Sequence, residues 1–382
     1  MKIVIDARFY GPEGTGIGKY VEKLLENLQE LDRRNEYFVI LRKANFDLFN
    51  PRAANFKKVL VDAHWYSLKE QLLIPMAIKK IKPDLVHFPH YNVPLFWFGK
   101  FVVTIYDITK TEFGREASNI KDPVSYFIKQ TVYNFTLRKA VQESLKIIAG
   151  SDSTKNKITN HFKIGKEKIV AVYAGVDKLF FSKAKEKFDL KVGEKVLDRY
   201  KIKKPFVLYI GNAFPYKNLP VVLEALKSTR KKINFVYVSS RDTFVAELAN
   251  RAKDLGMRDQ LIISGFVPDE DLAVLYRLAE CLVFPSLSEG FGLPGVEAMA
   301  SECPVVCSSI PVFKEVYGDA AVYFDPNSAS DLTNKINLVI NGPDLRRDLI
   351  NKGLEQASKY SWKSLALETL NIYKGLTAQK SC

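Results

Sequence analysis

Two glutamates in the last third of the chain carry the strongest chemical signal. Glu289 and Glu297 bracket Gly290-Phe291-Gly292-Leu293-Pro294-Gly295-Val296, just after the apolar run Cys281–Phe284. That order reads as a strand, a loop and the first turn of a helix. In open α/β sheets, ligands bind beyond the carboxyl ends of the strands, where Glu289 would lie. Gly290 and Gly292 permit a close backbone approach, and Pro294 fits the first helical turn. The free amides of that turn favour an anion such as a diphosphate. Glu297, inside the helix, is expected to face the same crevice and accept hydrogen bonds from neutral hydroxyls. Hydroxyls at both ends of a phosphate describe a nucleotide sugar.

A second candidate is Gly14-Thr15-Gly16-Ile17-Gly18, placed between the first strand and a helix expected to begin near Lys19. Its spacing is GxGxG and not the dinucleotide GxGxxG, and the second strand ends Leu41-Arg42-Lys43 with no acid for a ribose. A nicotinamide dehydrogenase is therefore disfavoured. The four histidines are His64, His87, His90 and His161; His87 and His90 sit in His-Phe-Pro-His, where the proline spoils a helical metal pair. Cys281, Cys303 and Cys307 lie in or beside apolar runs and form no CxxC, so they read as buried thiols in a reducing compartment. No metal site is expected.

The elements that must position these residues alternate in a regular way. Apolar runs occur at Ile3–Asp6, Tyr37–Leu41, Val59–Val61, Leu85–Phe88, Phe101–Ile105, Ile147–Ala149 and Ile169–Tyr173. A second series occupies Phe206–Ile210, Phe235–Val238, Leu261–Ile263, Cys281–Phe284, Val305–Cys307 and Ala321–Phe324. Buried runs separated by helical patterns indicate parallel sheets covered on both faces, and two series indicate two doubly wound α/β domains. The lysine-rich stretch 178–204 is expected to connect them, giving domains 1–190 and 191–360. Asp122-Pro123 opens a helix with a buried stripe at Tyr133, Leu137, Val141 and Leu145. Its other residues, including Phe127, Lys129, Phe135, Arg138 and Lys139, fit packing or contact with a membrane surface.

Composition sets the outer limits. A chain of 382 residues with 47% apolar and 12% aromatic residues is long enough for two cores and is not disordered. No apolar run reaches the roughly 18–20 residues of a membrane helix, and Met1-Lys2-Ile3-Val4-Ile5-Asp6 reads as a strand and not a signal peptide. The expected location is the cytoplasm, with peripheral contact at the inner face of the cell membrane. The net charge of +14 is uneven: residues 1–190 hold 32 Lys+Arg against 21 Asp+Glu, and residues 191–382 hold 25 against 22. No nucleic-acid module accompanies it, so nucleic acid is not an expected partner. An anionic or lipid-linked acceptor at an acidic membrane face is.

The Glu-x7-Glu element resembles the donor signature of glycosyltransferase family 4, retaining enzymes of the GT-B fold. The resemblance runs over nearly the whole chain. Gly14–Tyr20 resembles the family's N-terminal glycine loop, and Trp65–Pro75, with Glu70-Gln71, resembles a segment of its mannosyltransferase-like members. Val102–Asp107 resembles a strand that usually ends in His-Asp. Gly150–Ser153, Ala174–Asp177, Tyr209–Asn218 and Gly265–Pro268 resemble the last N-domain turn, the linker entry, the donor-phosphate loop and the nucleobase loop. The fold it implies is two Rossmann-like domains facing a central cleft, with a C-terminal helix at about 361–382 crossing back to the first.

The same resemblance implies roles. Glu289 would hold hydroxyls of the transferred sugar, Glu297 the ribose, and Phe266 and Val267 the base, partly through backbone. Lys217 would neutralise the diphosphate leaving group, aided by amides near Gly16, Phe291, Gly292 and Leu293. Stabilising departing negative charge lowers the barrier as the sugar gains oxocarbenium character. Asp107 would face the sugar or acceptor. The reaction implied is metal-independent transfer of a hexose, with mannose from GDP-mannose favoured and UDP-sugars open, to a glycan or lipid-linked acceptor. Two residues depart from the pattern: Asn212 stands where the family often has Arg, leaving the phosphate to Lys217 alone or to another basic residue, and Tyr106 stands where it has His, a role then vacant or taken by a nearby group such as His90. The alternatives are a GT-B epimerase, a phosphorylase, for which no pyridoxal lysine is evident, and a non-catalytic nucleotide-sugar-binding or membrane-surface protein.

Overall fold

The computed structural model describes residues 1–120, 122–185, 189–239 and 244–378. All thirteen apolar runs are strands. The first series is β1 Lys2–Asp6, β2 Glu36–Leu41, β3 Phe56–Leu60, β4 Leu85–Phe88, β5 Phe101–Ile105, β6 Lys146–Ala149 and β7 Ile169–Ala171. The second is β8 Phe206–Ile210, β9 Asn234–Val238, β10 Leu261–Gly265, β11 Leu282–Phe284, β12 Val305–Ser308 and β13 Ala321–Phe324. Each series forms one parallel sheet, ordered β3-β2-β1-β4-β5-β6-β7 and β10-β9-β8-β11-β12-β13. Central strands are apolar on both faces because helices cover both; every residue of β4, β5, β9 and β12 is buried. In each sheet the winding direction reverses beside the first strand, between β1 and β4 and between β8 and β11. Loops diverge there and leave a crevice.

The chain divides into two compact units, Met1–Thr111 with Lys121–Gly175 and Ser361–Cys382, and Glu112–Ile120 with Val176–Tyr360. The chain thus changes unit between Gly175 and Val176, and the stretch expected to connect two domains near residue 190 falls inside the second unit. There Lys178–Lys185 and Leu190–Arg199 are helices. Lysine is a good helix former, and Phe180 and Val196 give these two helices buried anchors; the Phe180 ring meets Tyr276 at 6.0 Å. Lysine richness concealed that pattern in the sequence.

The C-terminal helix Trp362–Ala378 belongs to the first unit, as expected. It packs on the helix Thr15–Leu31, and the Tyr373 hydroxyl meets His87 Nδ1 at 2.5 Å. His87 Nε2 meets Thr104 Oγ1 at 2.9 Å, so both ring nitrogens are spent inside the core. Cys281, Cys303 and Cys307 are buried free thiols; Cys382 lies outside the described residues.

Two local expectations change. The first helix begins at Thr15 and not near Lys19, so Gly16 and Gly18 are helical. A Cβ on Gly14 would lie 1.9 Å from the Phe9 carbonyl oxygen, and one on Gly18 2.1 Å from that of Gly11. Those two glycines let the β1 loop lie on the helix. Gly16 is exposed, with open space where its side chain would be. The helix Pro123–Glu143 is capped by Asp122, which accepts from the Ser125 amide at 2.7 Å, and buries Tyr133, Leu137 and Val141. It stops at Glu143, so Leu145 leads into β6 and is not part of the stripe.

Candidate functional site

The second unit's crevice is built by the loops after β8 and β11. After β8, Gly211 turns with φ 144°, and the Tyr209 hydroxyl donates to the Asn212 carbonyl at 2.9 Å. Pro215–Lys217 forms one 3-10 turn, closed by Asn218 in a left-handed conformation, whose side-chain Nδ2 donates to the Pro326 carbonyl at 2.8 Å. The Leu287 amide donates to the Tyr216 carbonyl at 2.8 Å, tying the two loops together. Lys217 Nζ then donates to Glu289 Oε1 at 2.5 Å, and Ser286 Oγ donates to the same oxygen at 2.8 Å. Ser288 Oγ donates to Glu112 Oε2 at 2.8 Å, and the Phe113 ring lies 5.7 Å from Tyr216. The segment Glu112–Ile120 therefore packs on these same loops.

Beyond Glu289 the chain enters the helix Leu293–Ala300, with Gly292 at its N-cap at φ 89° and Pro294 in its first turn. The Tyr317 hydroxyl donates to the Gly292 carbonyl at 2.6 Å. A Cβ on Gly292 or Gly295 would lie 2.2 or 2.3 Å from that hydroxyl oxygen. Both glycines exist to admit Tyr317 beneath the turn. Glu297 is buried on this helix; Tyr276 Oη reaches its Oε2 at 3.5 Å and donates to the Pro294 carbonyl at 3.2 Å. Burial, with the Glu297 charge second, holds the Tyr276 hydroxyl far above its usual pKa, so it remains a donor. Phe266 is 68% exposed at the end of β10, while Val267 is buried. Only the backbone of Val267 is available to a base. Asn212 Oδ1 is buried and has no partner among the described residues.

The first unit's crevice is built differently. Arg8, fully buried after β1, donates to Asp6 through Nε at 2.8 Å and Nη2 at 2.7 Å, and to Glu70 Oε1 through Nη2 at 2.5 Å. Asn92 Nδ2 donates to Glu70 Oε1 at 2.6 Å, and the Tyr66 amide to Oε2 at 2.7 Å. Burial raises the Glu70 pKa despite the guanidinium beside it. Burial opposes the Arg8 charge, but Asp6 and Glu70 outweigh it and raise its pKa further. Gln71 Oε1 accepts from the Leu95 amide at 2.6 Å. The Glu70-Gln71 pair thus anchors the loops after β1 and β4.

His90, after β4, is buried between Phe9 and Tyr91, whose ring centroids lie 5.0 and 4.0 Å away. Its Nδ1 accepts from the Asn92 amide at 3.3 Å, leaving the proton on Nε2. Burial, then Lys110 and Arg8, push its pKa down to about 3, so it is neutral. The Tyr106 hydroxyl donates to the Pro89 carbonyl at 2.8 Å, a structural tie between the ends of β5 and β4. Asp107 is exposed, and its Oδ1 accepts from the Thr109 amide at 2.8 Å. Among the described residues, no group of three or more His, Cys, Asp and Glu side chains is placed to hold a metal ion.

Two family models match the chain: glycosyltransferase family 4 over residues 14–178 and glycosyl transferases group 1 over residues 197–356. The chain is a family 4 glycosyltransferase of the group 1 type. It is 27% identical over 354 residues to the O-antigen chain mannosyltransferase RfbU of Salmonella typhimurium, covering 90% of this chain and 92% of that one. It is 28% identical to the O-antigen chain mannosyltransferase B of Escherichia coli, over 94% of this chain and 96% of that one. The crystal structure of Anabaena HepE in complex with UDP-glucose matches with a TM-score of 0.75 at 16% identity, covering 98% of this chain and 100% of that one. The fold of this glycosyltransferase is GT-B.

Of the residues singled out from sequence, the structure joins Lys217 and Glu289 directly and places Asn212, Phe291, Gly292, Leu293 and Glu297 on the same two loops and helix. Phe266 and Val267 follow β10. Gly16 and Asp107 belong to the first unit and are described there. Sequence reasoning missed the Asp6–Arg8–Glu70 cluster. Its one signal was an arginine two residues past an aspartate at the end of an apolar strand.

Proposed function

We propose that this glycosyltransferase moves a hexose, mannose in the favoured case, from a nucleotide-diphosphate sugar to a glycan acceptor, retaining the anomeric configuration and needing no metal ion. The observation that carries the reading is the Lys217–Glu289 pair, set before the first turn of the helix Leu293–Ala300. The cation and the free amides of that turn suit a diphosphate, and the carboxylate suits sugar hydroxyls. Donor entry would draw Lys217 onto the phosphates and release Glu289 to the sugar. The glycosidic C1–O bond then breaks, with its electron pair leaving on the diphosphate, which Lys217 stabilises. The acceptor oxygen bonds to C1, and its proton passes to the departing phosphate.

Glu297 is assigned to the ribose, with Tyr276 orienting it. Phe266 offers an exposed ring to the base and Gly16 an open backbone, and Asn212 is assigned to the phosphates, which only its side-chain NH2 or its backbone amide could donate to. Asp107 is assigned to the sugar or acceptor. Tyr106 is committed to Pro89, so His90 Nε2–H is the remaining candidate for the histidine role of the family pattern. The mannose preference rests on the two O-antigen mannosyltransferase relatives; UDP-glucose in HepE keeps uridine donors in the test.

The experiment is a donor screen with GDP- and UDP-sugars, in chelator, with mass detection of binding and of released nucleoside diphosphate. Turnover of GDP-mannose in chelator, abolished by Glu289→Ala, is the expected result. Binding without turnover on any acceptor would favour a non-catalytic binder, and a metal requirement would overturn metal independence.

A further inference from the structure

Tyr66 shows its ring to solvent from a backbone conformation that costs free energy. Its φ is 63°, in the left-handed region, and it is 57% exposed. Lys82 and Lys163 take that conformation as helix C-caps, where it is common. Tyr66 instead precedes Ser67, the N-cap of the helix Leu68–Ile81, and a bulky residue with positive φ there is an outlier. A buried tie holds it. The Tyr66 amide donates to Glu70 Oε2 at 2.7 Å, and Glu70 Oε1 is fixed by the buried Arg8. Strain maintained by a buried ion pair, with the ring left in solvent, adds nothing to the core. Strain of this kind gathers at ligand sites.

The ring belongs to an aromatic wall beside the ends of β4 and β5. The Tyr66 hydroxyl donates to the Tyr91 hydroxyl at 3.2 Å, and their ring centroids lie 6.4 Å apart. Tyr91 in turn meets Tyr133 of the helix Pro123–Glu143 at 5.1 Å. Two hydroxyls that share one hydrogen bond leave one hydrogen unspent, whichever of them donates. Burial, then Tyr66 and then Asp107, hold the Tyr91 hydroxyl far above its ordinary pKa, so that hydrogen stays on. Lys110 Nζ lies 4.7 Å from the Tyr133 ring centroid. Burial, then the Lys129 charge, push its pKa down, with no carboxylate opposing them. Asp107 adds an exposed carboxylate after β5.

The chemistry of the wall selects its ligand. An aromatic face rimmed by a hydroxyl hydrogen, an ammonium and a carboxylate fits a molecule that is apolar on one face and hydroxylated around its edge. A pyranose is built that way, with C–H bonds on the ring face and hydroxyls at the rim. An acyl chain would leave the three polar groups unpaired. A phosphate would leave the aromatic face unused and would meet the Asp107 charge.

We propose that Tyr66 is the stacking platform of a pyranose subsite on the first unit, which takes the terminal sugar ring of the acceptor, with the Tyr66 and Tyr91 hydroxyls, Lys110 and Asp107 at its rim. The acceptor role rests on the proposed hexose transfer; pyranose binding in the absence of donor does not, so the two fail separately. The test is a ligand-observed NMR titration of the full chain, free of nucleotide, with the methyl α-pyranosides of mannose, glucose and galactose, and with inorganic phosphate as competitor. Glu289→Ala is titrated beside the parent, to remove sugar binding at the donor loops. At least one pyranoside is expected to bind the parent and Glu289→Ala alike. Tyr66→Ala should lower that affinity about five-fold, and Tyr66→Trp, which restores an aromatic face, should keep it within about two-fold. Tyr66→Gly releases the left-handed strain, so it should lose the sugar without lowering the urea midpoint. Equal affinity in the parent and Tyr66→Ala, loss of binding in Glu289→Ala, no binding of any of the three pyranosides, or their displacement by phosphate would overturn the proposal. So would a lowered midpoint in Tyr66→Gly, since the ring would then be held for packing.

Discussion

Lys217 Nζ and Glu289 Oε1 stand 2.5 Å apart, joined across the loops that follow β8 and β11. In the proposed reaction each is the other's partner only until the donor arrives. Lys217→Ala should lower the transfer rate by about 10²–10³, the cost of losing one stabiliser of developing charge. Glu289→Ala should abolish measurable transfer while leaving nucleoside diphosphate binding intact, because it is assigned to the sugar alone. Steady-state rates beside calorimetric binding of the free nucleotide separate the two effects.

Tyr317 fixes the turn before the donor helix. Gly295→Ala would place a methyl 2.3 Å from its hydroxyl oxygen, so an overpacking loss of about 1–3 kcal/mol is expected. Tyr317→Phe in the same chain keeps the ring carbon Cζ, which lies at the same 2.3 Å, and deletes the bond to the Gly292 carbonyl, so it should recover little of that loss. Urea unfolding of the single and double variants gives the coupling.

His87 and His90 set an acid limit. Burial pushes each to about 3, below the ordinary value of 6.5. The unfolded chain therefore takes up two protons that the folded chain refuses between those values. Their contribution is fully present above about pH 6.5 and is lost as pH falls, at about 3 kcal/mol per pH unit for the pair. His87→Gln should halve that slope. Because His87 holds Tyr373, hydrogen exchange in the C-terminal helix should accelerate on acidification before the central strands do.

Arg8 is a fully buried cation of the first unit. Arg8→Met leaves Asp6 and Glu70 without it and should cost about 3–5 kcal/mol. Glu70→Gln keeps the Asp6 pair and should cost less. Burial raises the Glu70 pKa, so the folded chain holds that proton more tightly than the unfolded one. The stabilisation is present below the unfolded value of about 4.3 and is lost as pH rises through the folded value. The loss caused by Glu70→Gln should therefore be larger near pH 4 than near pH 7, as denaturant midpoints would report.

Strands were legible because burial on both faces leaves an unbroken β-branched run; β4, β5, β8 and β13 match their expected limits residue for residue. The donor loop was legible because its glycines and carboxylates are adjacent in sequence. Arg8 and Glu70 are not, and only the fold brings them together. The glycine loop was misjudged at its start because two of its three glycines answer to backbone packing. The helices at 178–185 and 190–199 were hidden because surface lysines dilute a stripe anchored by few apolar residues. The outward face of Pro123–Glu143 was half-visible: packing and surface contact were posed as alternatives, whereas one face packs and the other is exposed.

The central claim is that Lys217 and Glu289 mark a nucleotide-diphosphate-sugar site. Calorimetric titration of the full chain and of Lys217→Ala with GDP, UDP and their sugars tests it most directly. One nucleoside diphosphate should bind the parent, and its affinity should fall by about ten-fold or more in Lys217→Ala, the loss of a charge-assisted hydrogen bond. Equal affinity in the two proteins, or no binding of any nucleoside diphosphate by the parent, would contradict it.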